Sequence, residues 1–309
     1  MELIFEKIRD LNYGENPHQS AGLYTVDCMA DYELIFGDNL TYDNILNLNE
    51  ITAILSEFYD VNSAAITKHG IYCGVALGRN IEDAYNKAFD CDPVSAFYGS
   101  IGFSQTLDYE TAKLVSSMGV KVVIAPDYDS KAAIALSAND HIKLVKLNTP
   151  LKDLKNFVNN DLKVTPFGML IQSKNYSELN KNLFKVVTKT KPTSEQIEDA
   201  IFAWKIVKYT RTDSAVVVKD FATKGIAQGC SNSTLAVENA LNYACDGSKD
   251  AILATDGVIY SQDTIFAAAQ GRIKLIIQTG GSDKDSDLIK LADKYEIAMI
   301  MTGVRNHRY

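Results

Sequence analysis

An internal repeat constrains the fold of this chain more than any other feature of its sequence. NSAAITK at 62–68 is answered by DSAVVVK at 213–219, and GVALG at 74–78 is answered at the same offset by GIAQG at 225–229. Two further pairs follow in the same order, GSIGFSQTLD with DGVIYSQDTI and KVVIAP with KLIIQT. Four matches in one order indicate a duplicated unit, because chance similarity would not preserve the order.

Each copy has the pattern of α/β architecture, in which short β-branched apolar runs alternate with amphipathic helical patterns. Strands are predicted at Ala64–Thr67, Gly119–Ala125, Ser214–Val218, Leu275–Gln278 and Ile297–Met301. One helix has a clear start, since Thr193 and Gln196 stand in capping-box positions before an apolar stripe at helical spacing. The polar stretch at 172–182 separates the two copies, so the predicted subdomains are residues 1–175 and residues 176–309.

Charge and composition exclude several classes of function. The chain has 31 Lys and Arg against 39 Asp and Glu, a net charge of -8, and so lacks the basic surplus that binds nucleic acid or anionic membranes. No apolar run approaches the ~18 residues of a membrane span. Because the N-terminal MELIFEKIRD carries acids and no apolar segment, we do not expect it to be a secretory signal. Five cysteines without a C-x-x-C pair fit a reducing compartment. We therefore predict a cytoplasmic protein without a nucleic-acid or membrane partner.

Common motifs of cofactor and metal chemistry are also missing. The sequence has no glycine fingerprint for dinucleotides, no P-loop and no G-x-S-x-G elbow. The H-E-x-x-H and zinc-deaminase signatures are absent as well. Only four histidines are available in the whole chain, so we expect no catalytic metal.

The densest cluster of reactive side chains is TKHGIYCG, in which Lys68 and His69 end an apolar strand just before a glycine turn. Ligands of α/β folds bind at strand ends. A lysine ammonium beside an imidazole favours the neutral imidazole, which is a base, and the ammonium itself stabilises an oxyanion. The alternative is a solvent-facing lysine beside a structural histidine.

Four other clusters carry polar or aromatic groups. Tyr13 and Gly14 lie in an N-terminal turn region, and Phe97 and Tyr98 could stack on a flat ring or fill the core. TGGSDKDSD offers backbone N–H groups to an anion or, more simply, aspartates that cap a helix. The C-terminal TGVRNHRY brings together two arginines and a histidine, unless it is a disordered tail.

Taken in order, these clusters resemble the AICAR transformylase domain, the formyltransferase half of the bifunctional purine enzyme that also carries IMP cyclohydrolase. The matching strings are YGENPHQ (13–19), TKHG-x-x-CGVA (67–76), DPVSAF (92–97), VVIAPDYDSKA (122–132), KVVTK (185–189), VKYT (207–210) with Ser214, QTGGSDKD (278–285) and IAMIMTGVR (297–305). The resemblance implies two tandem cytidine-deaminase-like α/β subdomains without zinc. It also implies a homodimer whose active sites lie at the subunit interface.

The activity implied by the resemblance is the transfer of a formyl group from the co-substrate 10-formyltetrahydrofolate to the 5-amino group of AICAR. The catalytic Lys-His pair of the family corresponds to Lys68 and His69. His69 would accept the amine proton, and Lys68 would support the tetrahedral oxyanion and the departing folate nitrogen. Asp213 stands where the family has an asparagine that is hydrogen-bonded to the reacting groups.

Substrate-binding roles are implied for residues elsewhere in the chain. Arg305 corresponds to an arginine that grips the nucleotide phosphate. Tyr13 and Gly14 correspond to the phosphate loop, and Phe97 and Asp263 to the substrate pocket. We expect Tyr98, beside Phe97, to contact substrate as well.

This chain departs from the family pattern at positions that affect binding. Asn12 and Ser233 stand where the family has basic residues that help to hold phosphate. An acid at Asp213 cannot donate a hydrogen bond unless it is protonated. Two alternatives to AICAR formylation therefore remain, a non-catalytic ligand-binding or regulatory paralogue and a formyltransferase with another acceptor. Because Met1–Asp10 leads directly into the transformylase-like loop, we expect no IMP cyclohydrolase domain.

Overall fold

The structure is a computed structural model that describes residues 4–25, 29–157, 160–179 and 184–309. The chain divides into two compact units. Unit 1 comprises Met1–Gly70, Arg79–Glu82 and Ser95–Tyr176, and unit 2 comprises Ile71–Gly78, Asp83–Val94 and Ser177–Tyr309. Of the expected boundary stretch 172–182, residues 174–179 have no regular secondary structure, and residues 180–182 lie outside the described part of the chain. The division at 175/176 stays a prediction.

Strands and helices alternate along most of the chain. In chain order they are β1 (Glu6–Leu11), β2 (Ala21–Thr25), β3 (Tyr32–Phe36), α1 (Tyr42–Leu55), β4 (Ser63–Lys68), β5 (Ile71–Leu77), α2 (Ile81–Phe89), α3 (Pro93–Ala96), β6 (Ser100–Phe103), α4 (Tyr109–Ser116), β7 (Val122–Ala125), α5 (Ser130–Ser137), β8 (Lys143–Leu147), β9 (Asn160–Thr165), β10 (Gly168–Ser173), β11 (Lys185–Val186), α6 (Ser194–Val207), β12 (Ala215–Lys219), β13 (Ala222–Ala227), α7 (Ser233–Ala244), β14 (Ile252–Thr255), α8 (Gln262–Gln270), β15 (Leu275–Gln278), α9 (Asp285–Lys294) and β16 (Ala298–Met301). The expected α/β class is confirmed. Within the described residues, none of the helices combines the length and the apolar character needed to cross a membrane.

The sheet of unit 1 has the strand order β4-β6-β7-β8-β3. Strands β6, β7 and β8 run parallel, whereas β4 is antiparallel to β6 and β3 is antiparallel to β8. Helix α1 packs on β4 and β6. Both β6 and β7 are buried along their whole length, which explains why they are short apolar runs without polar alternation.

The sheet of unit 2 has the strand order β11-β16-β15-β14-β12-β13-β5. Strands β14, β15 and β16 run parallel, and β12 is antiparallel to β14. Helix α6 packs on β12, β14 and β15, and α7 packs on β12 and β13. The strand directions along β12-β14-β15-β16 are therefore the same as those along β4-β6-β7-β8, while the duplication itself stays a prediction.

A glycine at the same place in each repeat allows a helix to approach a strand closely. A Cβ atom on Gly74 would lie 1.9 Å from the carbonyl oxygen of Ala88 in α2, and one on Gly225 would lie 2.1 Å from the carbonyl oxygen of Ala240 in α7. No side chain fits at such distances, so both positions require glycine.

The predicted start of helix α6 is confirmed, whereas the predicted start of strand β7 is wrong. Helix α6 begins as expected, with Thr193 as its N-cap and a complete capping box with Gln196. The strand expected at Gly119–Ala125 begins only at Val122, because Gly119 has a φ of +63° and belongs to the preceding turn.

The hairpin of β9 and β10 forms a two-stranded sheet of its own in unit 1. Leu162 pairs with Ile171 and Val164 pairs with Met169, so these four apolar side chains share one face. All four are exposed, Val164 to 82%, and the tip residue Phe167 is fully exposed. The hairpin therefore presents an exposed apolar face.

Candidate functional site

The turn after β4 carries two of the predicted catalytic residues. Lys68 is the last residue of β4, and His69 and Gly70 follow with φ angles of +56° and +70°. A non-glycine residue in this left-handed region is strained and persists only where its surroundings fix it. Asn47 of α1 supplies that constraint, because its buried side-chain oxygen accepts the Gly70 N–H at 2.9 Å.

The imidazole of His69 is oriented by the first turn of α1. Its Nδ1 atom lies 3.3 Å from Oδ1 of Asp43, and the other carboxylate oxygen of Asp43 accepts Nδ2 of Asn47 at 3.0 Å. The His69 side chain is 68% exposed and therefore accessible to a ligand. The catalytic role of His69 stays a prediction, as does the alternative of a structural histidine. Sequence reasoning missed Asp43 and Asn47. A polar residue on the buried face of α1 was a visible signal for Asn47, but Asp43 does not lie on that face.

The Lys68 side chain is held against the turn that contains the two predicted aromatic residues. Its Nζ donates to the carbonyl oxygen of Phe97 at 3.0 Å. Phe97 and Tyr98 are exposed to 44% and 63%, so the idea that they fill the core is wrong. Tyr98 adopts a left-handed φ of +59°, a second strained position beside the same strand end. Unit 1 thus brings Lys68, His69, Phe97 and Tyr98 together.

Tyr13 and Gly14 lie in the exposed loop between β1 and β2. The N–H of Gly14 donates to the carbonyl oxygen of Gln19 at 2.8 Å, and Nδ2 of Asn16 donates to the Gln19 side chain at 2.8 Å. Both hydrogen bonds join residues of the same loop and so stabilise its turn. Tyr13 is exposed, and its role at a phosphate stays a prediction.

In unit 2, three loops meet at the carboxyl ends of the parallel strands β14, β15 and β16, the edge at which α/β sheets bind ligands. Gln278 ties two of them together, because its buried side-chain oxygen accepts the N–H groups of Ile259 at 3.2 Å and Gly280 at 3.1 Å. The hydroxyl of Thr279 donates to the carbonyl oxygen of Val304 at 3.1 Å, which fixes the third loop.

Two of the predicted binding residues lie on these loops. Asp263 is exposed in the first turn of α8, where its carboxylate accepts the hydroxyl of Ser261 at 3.2 Å. Arg305 is exposed on the loop after β16. The edge therefore presents both an acid and a guanidinium to solvent.

Asp213 belongs to a charged cluster at this edge, together with Asp256 and His307. Side-chain ligand atoms of these three residues lie within 4.8 Å of one another. Asp256 is fully buried and accepts the Thr212 hydroxyl at 2.6 Å and the Ser214 N–H at 3.0 Å. The pKa of Asp256 is raised above its ordinary value, chiefly because burial disfavours the charged carboxylate. The hydrogen bonds from Thr212 and Ser214 and the charge of His307 lower this pKa, and the negative charge of Asp213 raises it.

The composition of the Asp213 cluster also bears on metal binding. Two carboxylates and an imidazole are donors that could hold a metal ion, so the expectation of no metal stays a prediction. Asp256 and His307 were not among the predicted site residues. Their signals were a position directly after a strand end and membership of the C-terminal Arg-His cluster.

The C-terminal segment is an ordered part of this cluster, so the disordered-tail alternative is wrong. The N–H of Asn306 donates to the carbonyl oxygen of Asp256 at 2.8 Å. Thr212 and Arg308 exchange two bonds, from the Thr212 N–H to the Arg308 carbonyl at 2.9 Å and from the Arg308 N–H to the Thr212 hydroxyl at 2.8 Å.

The glycine loop after β15 has its own internal partners. The N–H of Gly281 donates to the carboxylate of Asp285 at 2.7 Å, and the N–H of Lys284 donates to the hydroxyl of Ser282 at 3.0 Å. The N-cap of α9 is Lys284, which makes no side-chain capping hydrogen bond, so the alternative of an aspartate that caps this helix is wrong. Anion binding by this loop stays a prediction.

Comparisons with known proteins connect these features to relatives. The family model described as the AICARFT/IMPCHase bienzyme matches residues 1–243. The bifunctional purine biosynthesis protein PurH of Caldicellulosiruptor saccharolyticus is 40% identical over an alignment of 311 residues, which covers 98% of this chain and 60% of that protein. The protein of the same name from Acetivibrio thermocellus is 38% identical over 314 residues, covering 100% of this chain and 61% of that protein.

The chain spans about three-fifths of the length of the curated relatives that it matches. Among solved structures, Acinetobacter baumannii RibD covers 34% of this chain at 14% identity, with a TM-score of 0.26, which is too low to support an argument about the fold. The family model, by contrast, matches well over half of the chain, and this chain belongs to the AICARFT/IMPCHase bienzyme family.

Proposed function

We propose that this chain is an enzyme of purine biosynthesis that transfers a formyl group from 10-formyltetrahydrofolate to the 5-amino group of AICAR. Family membership supports the pathway, since the relatives are bifunctional purine biosynthesis proteins. The observation that carries the choice of formyl transfer is the accessible imidazole of His69, which Asp43 holds on a constrained turn directly after Lys68.

In this reaction, His69 acts as the general base. As the amine nitrogen of AICAR bonds to the formyl carbon, the imidazole takes the proton that the nitrogen loses. Lys68 stabilises the negative charge that develops on the formyl oxygen. An ammonium has three N–H donors and only one is given to Phe97, so donors remain for this task.

When bound, the folate supplies the formyl carbon and its nitrogen leaves as the neutral amine after taking up a proton. Exposed aromatic rings suit a flat heterocycle, and Phe97 and Tyr98 provide them beside Lys68. No metal ion is required for this chemistry, because an ammonium already supplies the electrostatic stabilisation.

We assign the nucleotide to polar groups on loops. Arg305 is exposed and able to bind phosphate through two parallel N–H bonds. Asp263 accepts hydrogen bonds from sugar or base, and Tyr13 and Gly14 contact the phosphate. Asp213 hydrogen-bonds to the reacting groups.

The β9–β10 hairpin supports the proposal of a homodimer. Its face of Leu162, Val164, Met169 and Ile171 is exposed, and a two-stranded hairpin is only marginally stable unless such a face is covered. We assign a second copy of this chain as the cover, with active sites completed at the interface between copies.

Each copy contains two cytidine-deaminase-like subdomains, a topology supported by the recurring strand directions, and works in the cytoplasm.

The direct test is to mix purified protein with AICAR and 10-formyltetrahydrofolate and to follow tetrahydrofolate formation. The wild type should turn over, and Lys68→Met should lose most of its activity. Binding of AICAR without turnover would support the non-catalytic paralogue instead. Preference for the dephosphorylated riboside over AICAR would support a different acceptor.

A further inference from the structure

We infer that Asp43 is a positioning residue for His69: it accepts the Nδ1 proton and so presents the unprotonated Nε2 atom as the base. This assignment rests on the proposed formyl transfer, in which His69 is the base. The supporting contact joins Nδ1 of His69 to Oδ1 of Asp43 at 3.3 Å, a long hydrogen bond of the kind that tightens when substrate binds.

The carboxylate of Asp43 is held in place by its own helix. Thr41 is the N-cap of α1 and forms a complete capping box with Asn44, so the first helical turn around Asp43 is well fixed. One turn later, Nδ2 of Asn47 donates to the second oxygen of Asp43 at 3.0 Å. Asp43 therefore keeps one oxygen for the imidazole.

Asn47 also connects this carboxylate to the backbone of the catalytic turn. Its side-chain oxygen accepts the N–H of Gly70 at 2.9 Å, while its amide nitrogen holds Asp43. Three hydrogen bonds, together with the peptide bond between His69 and Gly70, form a closed path from Asp43 through Asn47 and Gly70 to His69 and back to Asp43. The path fixes the backbone and the ring of His69 together, which is what a strained φ of +56° needs.

The carboxylate of Asp43 determines which ring nitrogen of His69 carries the proton. A neutral imidazole carries one proton, and a carboxylate accepts hydrogen bonds but donates none when ionised. Nδ1 must therefore be the protonated nitrogen while Asp43 faces it, which leaves the lone pair on Nε2. Without the carboxylate, the ring would exchange between both tautomers and orientations, and only one of them would present a base to the amine.

The first measurement is the tautomer of His69 by ¹⁵N NMR of histidine-labelled protein, at a pH well above about 6.5, the ordinary histidine pKa. In the wild type, we expect Nδ1 to have the shift of a protonated nitrogen and Nε2 that of an unprotonated one. Asp43→Ala should give averaged shifts. Wild-type shifts in Asp43→Ala, or a protonated Nε2 in the wild type, would overturn the assignment.

The second measurement is kinetic and uses a matched control. Asp43→Ala should lower kcat for formyl transfer about tenfold to a hundredfold, with little change in the KM for AICAR. Asp43→Asn should fall between, since its amide oxygen still accepts from Nδ1. Glu110→Ala is the control, because Glu110 holds the same position in the first turn of α4. An unchanged kcat in Asp43→Ala would overturn the assignment.

The two measurements separate failure of this inference from failure of the proposed function. If the wild type does not formylate AICAR, the proposed function fails while the NMR experiment still decides the role of Asp43. If the wild type is active and Asp43→Ala matches it in rate and in tautomer, only the role of Asp43 fails. Melting curves of both variants check that a lost rate does not reflect unfolding.

Discussion

The close approach of α7 to β13 gives a prediction whose size follows from the structure. In Gly225→Ala, the new Cβ would lie 2.1 Å from the carbonyl oxygen of Ala240 and 2.8 Å from the amide nitrogen of Ala244. Ordinary contacts of a Cβ begin at 3.4 Å. Because both obstacles belong to the backbone of one helix, α7 must move away from the strand by roughly 1.3 Å, the difference between the two distances.

That movement affects the whole buried face of the helix. Ala236, Val237, Ala240 and Ala244 of α7 are buried in the core of unit 2. A gap of 0.5–1 Å already removes about a quarter to a half of the dispersion energy of each contact. With the strain of overpacking, we expect the free energy of unfolding to fall by about 3 kcal/mol.

Urea unfolding followed by circular dichroism measures this change, read as a lower midpoint at an unchanged slope. Gly247→Ala is the control, since the nearest atoms to its new Cβ belong to the side chain of Lys224, the closest at 3.2 Å, and that side chain can move. A loss below about 0.5 kcal/mol in Gly225→Ala would refute the packing argument, because surface substitutions already reach that size.

Three further results are expected. Arg305→Ala should weaken AICAR binding by tenfold or more in calorimetry, the scale of a lost bond between charged groups, and an unchanged Kd would remove Arg305 from the phosphate site. Burial raises the pKa of Asp256 above 3.8, so the folded protein holds this proton more tightly than the unfolded chain does. The wild type should therefore lose stability relative to Asp256→Asn as pH rises from 3.8 towards neutrality. A difference in the free energy of unfolding that stays constant with pH in urea titrations would contradict this. Val164→Lys should shift the protein from dimer to monomer in sedimentation, whereas Gln172→Lys, on the opposite hairpin face, should not.

Sequence reasoning succeeded where the information is local. The capping box of Thr193 and Gln196 is contained in four residues, and its geometry in the structure is the one that the sequence predicts. The matching segments 62–78 and 213–229 are a second local signal, and in the structure each contains two consecutive strands, β4 and β5 in the first and β12 and β13 in the second. Both signals depend on neighbours in the chain and not on the packing of distant elements.

The partners of the site residues could not be predicted in the same way. Asp43 lies 26 residues before His69, and only the packing of α1 against β4 brings the two together. Asp256 and Asp213 meet because β12 and β14 pair, with Ala215 opposite Thr255. No window of sequence records these contacts, since they follow from strand order and helix docking.

The exposure of the aromatic pair depended on backbone geometry. Phe97 and Tyr98 were equally compatible with a core position and a binding position by composition. The left-handed φ of Tyr98 places the turn at the strand end, where both rings remain exposed. A sequence does not show that a tyrosine occupies a conformation more usual for glycine.

Single-turnover formylation of AICAR by His69→Ala, measured beside the wild type, decides whether His69 is the general base. His141→Ala serves as the matched control, because His141 is an exposed histidine outside the site. We expect His69→Ala to lower the rate of formyl transfer by a factor of about 10² to 10⁴ and to keep the AICAR Kd, while His141→Ala behaves like the wild type. A His69→Ala enzyme that formylates AICAR at the wild-type rate would show that His69 is not the general base.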